Sequence, residues 1–215
     1  MAQFTPLYMR DISADINNRL PFEGAFALEA ITKLSDNMLQ TLSSREKKHL
    51  QSITNLRRRQ EYATSRHTLK VLAQSMGLGA LTIHKDELGQ PFGGIGDEKY
   101  FVSIAHTNST VFCGLTANNA IGLDLEPTDR EVPDKLRTRI LHPDEQAFIQ
   151  SMKLIRLWTI KEAYIKLRGQ GLRLNMNQVR VLEDEGQFWA EINNDKRAKI
   201  CSFQAEHNWL AIAHY

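Results

Sequence analysis

Between residues 56 and 126 the spacing of the apolar residues changes once, from helical to extended. That switch limits the folds open to this 215-residue chain. From Leu56 onward, Tyr62, Leu69, Leu72 and Met76 recur at spacings of three, four and seven, with Ala73 beside them. This predicts a helix over 56–76 that lays one face on a core and stops at Gly77. A stretch rich in glycine follows (Gly89-Gln90-Pro91, then Gly93, Gly94 and Gly96) and reads as a loop. Beyond it the period is two: 100–106, 110–116 and 120–126 read as short strands, the last two joined at Asn118-Asn119.

The same reasoning places the remaining elements. Ser43 and Glu46 have capping-box spacing, so a helix is expected to begin near Ser44. A helical stretch over 143–168, broken near Ser151, is closed by Gly169 and Gly171. The tail, 178–215, reads as strands separated by polar turns at Glu185-Gly186, Asn193-Asn194 and His207-Asn208. Residues 4–12 read as a short edge strand, followed by a loop with Pro21 and Gly24. Both halves place a helix before β hairpins. The fold class expected is therefore α+β, with two similar lobes over 1–118 and 119–215.

Composition narrows the function classes. A chain with 42% hydrophobic and 24% charged residues has ordinary globular composition. Twenty-seven Lys and Arg against twenty-five Asp and Glu leave a net charge of +2, too little for a bulk electrostatic grip on nucleic acid or an anionic membrane. Arg57-Arg58-Arg59 and Lys47-Lys48 have no interleaved aromatic platform, which argues against nucleic acid as a partner. Two cysteines, Cys113 and Cys201, cannot build a zinc cage and read as apolar fillers. Residues 1–20 carry Arg10, Asp11, Asp15 and Arg19 without a signal-peptide apolar block, and no stretch approaches the ~20 apolar residues of a membrane span. A soluble, cytoplasmic protein is expected.

Four motifs carry chemistry. In Ile121-Gly122-Leu123-Asp124-Leu125-Glu126, alternation sends Gly122, Asp124 and Glu126 to one face of a strand. Carboxylates two residues apart lie about 7 Å apart at Cα, near enough to reach one hard cation such as Mg²⁺. Gly122 would leave room for a ligand beside the backbone. The pattern is equally that of a strand whose polar face meets water. In Trp158-Thr159-Ile160-Lys161-Glu162-Ala163-Tyr164-Ile165-Lys166, Glu162 and Lys166 are one helical turn apart amid Leu157, Trp158 and Ile165. By itself the pair also reads as a surface salt bridge. Arg59, Ala63, Arg66 and Lys70 fall within about 40° of one helical stripe. They form either a rail for phosphates or a charged outer face. His106 ends the strand Ser103-Ile104-Ala105-His106 at a polar turn.

Together, Gly122 to Glu126 and Trp158 to Lys166 resemble the paired signature of the 4′-phosphopantetheinyl transferases. Chain length resembles the two-lobed, single-chain surfactin-type branch. The resemblance spans roughly residues 101–172 and, more weakly, 58–70. It implies two lobes with pseudo-twofold symmetry, a monomer, and an active site between the lobes. It implies that Asp124, Glu126 and Glu162 hold Mg²⁺ against the pyrophosphate of coenzyme A. The chemistry then expects Glu162 and Lys166 to be catalytic, with Glu126 or a water as the alternative base. Arg59, Arg66 and His106 would contact coenzyme A phosphates. The partner implied is an apo acyl carrier protein or a peptidyl or aryl carrier domain. Arg137, Arg139, Lys153 and Arg156 are candidates for the rim that receives it. Two departures stand out: Ala105 where the family commonly has Ser, and Gln90 where Lys or Arg is common. The alternative is a non-catalytic coenzyme A or nucleotide-binding protein of the same fold.

Overall fold

The computed structural model describes residues 9–215, with the backbone alone at residue 172. Contacts within the chain divide it into two units, one of residues up to 84 with 91–118, the other of residues 85–90 with 119–215. The first holds β1 (Met9–Asp11), α1 (Ser13–Asn17), β2 (Ala25–Ala30), α2 (Asp36–Thr41), α3 (Ser44–Ser52), α4 (Leu56–Ser75), β3 (Thr82–Lys85), β4 (Pro91–Ile95), β5 (Glu98–His106) and β6 (Thr110–Thr116). Its sheet runs β1-β2-β6-β5-β4-β3. The second holds β7 (Ile121–Pro127), α5 (Arg137–Ile140), α6 (Ala147–Ser151), α7 (Leu154–Arg168), β8 (Arg180–Asp184), β9 (Gln187–Glu191), β10 (Ala198–Ala205) and β11 (Asn208–His214). Its antiparallel sheet runs β7-β11-β10-β9-β8. The α+β class is as the sequence predicts.

In the first unit, α4 lays Leu69, Leu72 and Ala73 on Ala25, Ala27, Val111, Cys113 and Leu115 of β2 and β6. Each fully buried leucine of this kind contributes about 1.5–3 kcal/mol. Leu78 N–H bonds back to the Ala73 carbonyl at 2.9 Å, and Gly77 takes φ +70°, which ends the helix where the sequence predicts. The Ser43–Glu46 capping box is present in full. Of the expected edge strand, 9–11 is β1, and 4–8 lies outside the described residues. Three elements depart from expectation. The loop after Pro21 contains β2, a buried strand, and the glycine-rich loop contains β4. The expected 143–168 helix begins only at Ala147, while its break falls after Ser151, as expected.

In the second unit, α7 packs Leu157, Ile160, Ala163 and Tyr164, all fully buried, against the β sheet beside Ala211 and Ala213. Two hairpins close with two-residue turns, Glu185-Gly186 and Glu206-His207, in which both residues have positive φ. That is the type I′ geometry matching strand twist. The last turn is one residue earlier than the sequence suggests.

One acid in the first core sets a pH dependence. Glu29 on β2 is 1% exposed, and burial pushes its carboxyl from 4.5 up to about 7 despite the Thr68 hydroxyl beside it. Thr68 Oγ1 lies 2.5 Å from Glu29 Oε2 and 2.8 Å from the Thr64 carbonyl. The Thr68 hydroxyl, donating to Glu29, favours the ionised acid, but burial outweighs it and favours the neutral form. The native state therefore binds this proton more tightly than the unfolded chain. Its contribution is full below about pH 4.5 and is lost as pH rises through about 7. Urea melts at pH 5 and pH 8 should show Glu29→Gln stabilising the chain at the higher pH, by about 2–3 kcal/mol, and flattening this dependence.

Candidate active site

The second unit gathers the carboxylates. β7 pairs with β11 in a register that sets Gly122 opposite Ala213, Asp124 opposite Ala211 and Glu126 opposite Trp209. Ala211 and Ala213 belong to the core beneath α7, so alternation turns Gly122, Asp124 and Glu126 toward that helix. Gly122 does not make room for a ligand. A Cβ there would lie 2.0 Å from the Ala163 carbonyl oxygen and 2.4 Å from Leu167 N, so the backbone of α7 fills the space. This close approach lets a helical side chain reach a strand side chain: Lys166 Nζ lies 2.8 Å from Asp124 Oδ1.

Electrostatics join the third acid to the group. Burial pushes the Asp124 carboxyl up to about 7, against the pull of Lys166, and the nearby Glu162 and Glu126 carboxylates push it further the same way. Burial likewise raises Glu162, with Lys166 opposing and Glu126 adding. Asp124 Oδ2 is buried without a hydrogen-bond partner among the described residues. Glu126 pairs with Arg130, whose guanidinium lies 5.5 Å from the centre of the Trp158 ring. Beside Glu162 and Lys166 opens a cavity of about 520 Å³, walled by Ile140, Trp158, Ile165 and Leu174 with Arg139.

These residues suit a hard divalent cation in their donor chemistry: three carboxylates that feel one another's charge, one with an orphaned oxygen. They are not already arranged as a cage. Among the described residues no group of three His, Cys, Asp or Glu is placed to hold a metal ion. Asp124 and Glu126 are each engaged instead by a cation of the chain itself.

The other candidates lie in the first unit. On α4, Arg59 Nε is buried and unpartnered among the described residues, a donor suited to an anion's oxygen. Arg66 is 7% exposed and turned toward Glu46, 3.9 Å away, and the Tyr62 ring. Lys70 contacts Glu46 and the Thr41 carbonyl at 2.8 Å. Burial pushes the Glu46 carboxyl up, but bonds from Lys70 and Ser43 outweigh it and leave the group below its ordinary value. The basic stripe is thus partly spent on neutralising a buried glutamate. His106 Nδ1 lies 3.8 Å from Glu61, which also pairs with Arg57 at 3.0 Å. Arg57, which is not one of the stripe residues, therefore joins His106 through Glu61. Of the rim candidates, Arg156 is stacked over Phe188 and Trp209 and bonds Ser202. Arg137 bonds the Gln150 carbonyl.

Sequence reasoning misses one buried pair. Lys161 Nζ lies 2.6 Å from Glu145 Oε1, with both side chains fully buried. A signal was present: Lys161 is four residues after Leu157 and seven after Leu154, on the apolar stripe of α7.

Residues 120–213 match the family profile described as the 4′-phosphopantetheinyl transferase superfamily. Through this segment, which is somewhat less than half of its length, the chain is similar to that superfamily. Two relatives agree with it. A 4′-phosphopantetheinyl transferase from Aneurinibacillus migulanus is 29% identical over 120 residues, which take in 53% of this chain and 45% of that protein. A Synechocystis protein assigned provisionally to the same transferases is 31% identical over 87 residues, 36% of this chain and 35% of its own length. The matched stretches thus cover less than half of either relative. The superfamily segment contains all of β7 and α7, and with them Asp124, Glu126, Glu162 and Lys166. No helix among the described residues is long and apolar enough to cross a membrane.

Proposed function

We propose that this chain transfers the 4′-phosphopantetheine group of coenzyme A to a serine hydroxyl of an apo acyl or peptidyl carrier protein, releasing adenosine 3′,5′-bisphosphate. The observation that carries the reading is the contact of Lys166 on α7 with Asp124 on β7, beside Glu162 and Glu126 and inside the superfamily segment. Simple binding of a nucleotide requires no such set. Asp124, Glu126 and Glu162 would hold Mg²⁺, which when bound neutralises pyrophosphate charge and favours in-line displacement.

The chain's own residues divide the rest of the work. Glu162 accepts the serine proton: burial raises its carboxyl, which strengthens it as a base near neutral pH. No ion pair of Glu162 is found among the described residues, whereas Asp124 and Glu126 are paired with Lys166 and Arg130. The serine oxygen then bonds to the β-phosphorus while the bond from that phosphorus to the bridging oxygen breaks. Lys166, one turn beyond Glu162, donates to the departing phosphate. Arg59 and His106 would bind coenzyme A phosphates, and the cavity beside Glu162 admits the acceptor.

The decisive experiment is mass spectrometry of an apo carrier protein incubated with the chain, coenzyme A and Mg²⁺. A gain of about 340 Da on the carrier supports transfer, and chelation of the divalent ion should remove it (phosphoryl-transfer chemistry). Glu162→Gln should lower turnover about 100-fold or more while coenzyme A still binds. Unmodified carriers across a panel, or near-normal turnover of that variant, would refute the reading or the assignment respectively.

A further inference from the structure

The loop joining β3 to β4 builds itself around Asp86. Asp86 Oδ1 accepts the backbone N–H groups of Leu88 at 2.9 Å and Gln90 at 2.8 Å. The Asp86 N–H bonds the Gln90 carbonyl and the Gly89 N–H bonds the Asp86 carbonyl, each at 3.0 Å. An aspartate holding its own turn in this way fixes the direction of the residue that closes it. That residue is Gln90. Its Nε2 donates to the carbonyl of Lys166, 2.9 Å away.

The accepting carbonyl is in the last turn of α7, where helical carbonyls lack partners within the helix. It also receives the Gly169 N–H at 3.1 Å, and Gly169 takes φ +68°. A Cβ at Gly169 would lie 2.5 Å from Gln90 Oε1, so the glycine is needed both for the left-handed cap and for the amide's approach. A loop residue and a helix cap thus interlock at the residue whose ammonium reaches Asp124.

We propose that Gln90 is a positioning residue for Lys166: its amide clamps the end of α7 and fixes the backbone from which the ammonium reaches Asp124 and the departing phosphate. The consequence for turnover rests on the transferase reading; the clamp itself does not. A misplacement of about 1 Å at such a group is enough to reduce rate markedly. Donation is what the site requires. Glutamate at this position is isosteric but can only accept, and it sets a negative charge against the negative end of the helix. Lysine restores a donor with the favourable charge.

The test compares the full chain with Gln90→Glu and Gln90→Lys. Gln90→Glu should lower kcat about tenfold with KM for coenzyme A within about twofold, and Gln90→Lys should recover most of the loss. Hydrogen exchange at the Gly169 amide should rise about tenfold in Gln90→Glu and return toward the parent rate in Gln90→Lys. Unchanged exchange in Gln90→Glu overturns the clamp whether or not the chain is a transferase. A rise in KM with kcat intact, or equal impairment in both variants, overturns the positioning role. If the parent chain modifies no carrier while exchange responds as described, the clamp stands and the transferase reading with its Lys166 role falls.

Discussion

Gly122→Ala is expected to cost the second unit most of its stability, about 4 kcal/mol or more, beyond the usual range for an added methyl group in a packed core. The reason is what the methyl would meet. The new Cβ would sit 2.0 Å from the Ala163 oxygen, 2.4 Å from Leu167 N and 2.9 Å from Leu167 Cβ. Two of these atoms are backbone of α7, so no side-chain rotation relieves the overlap. The helix would have to retreat, and with it Leu157, Ile160, Ala163 and Tyr164, each fully buried. With stabilities of about 5–15 kcal/mol typical of folded domains, such a loss leaves a large unfolded fraction. Urea denaturation followed by far-UV circular dichroism measures it. Gly77→Ala serves as control: nothing lies within 4 Å of that Cβ, and the positive φ alone should cost about 1 kcal/mol. An unchanged midpoint for Gly122→Ala would show that β7 and α7 are not in the contact on which the Lys166–Asp124 pairing depends.

Much of this arrangement was legible in the chain because it follows local rules. The stop at Gly77, the type I′ turn at Glu185-Gly186 and the Ser43–Glu46 box are decided within a few residues of sequence. Alternation along 121–126 assigned Asp124 and Glu126 to one face, and helical spacing put Glu162 and Lys166 on one flank of α7. What escaped was decided by packing. β2 is buried on both faces through Leu28 and so shows no alternation to betray a strand. The glycines of β4, which look like loop residues, are there because neighbours approach: a Cβ at Gly93 would lie 2.7 Å from Leu81 Cδ1, and one at Gly94 3.2 Å from His84. The basic stripe of α4 could not reveal that Lys70 and Arg66 face Glu46, because that glutamate arrives from α3. Gly122 reads in the sequence as room for a ligand, and only the fold shows that the backbone of α7 takes that space.

The buried pair behind the site supports the second large expectation. Lys161→Met should destabilise the chain by about 3–5 kcal/mol, the range for removing one partner of a buried ion pair. Lys161 is fully buried, and burial pushes its ammonium down to about 8 even with Glu145 opposing the shift. Besides Lys161, Glu145 accepts Val181 N–H at 3.1 Å and His142 N–H at 3.0 Å, and Lys161 also reaches the Ile140 carbonyl at 2.6 Å. Deleting the ammonium therefore strands a carboxylate and a carbonyl together. Adding Glu145→Gln removes the stranded charge but keeps an oxygen for Val181, so the double variant should recover about 2 kcal/mol relative to Lys161→Met. Chemical denaturation of the four proteins of this cycle gives the coupling directly. A chain in which Lys161→Met alone moves the midpoint no further than a surface substitution would show that Glu145 finds water or another donor there. Its neighbour Glu162 would then owe its direction to the apolar contacts of α7 alone, rather than to an ion pair anchoring the same turn.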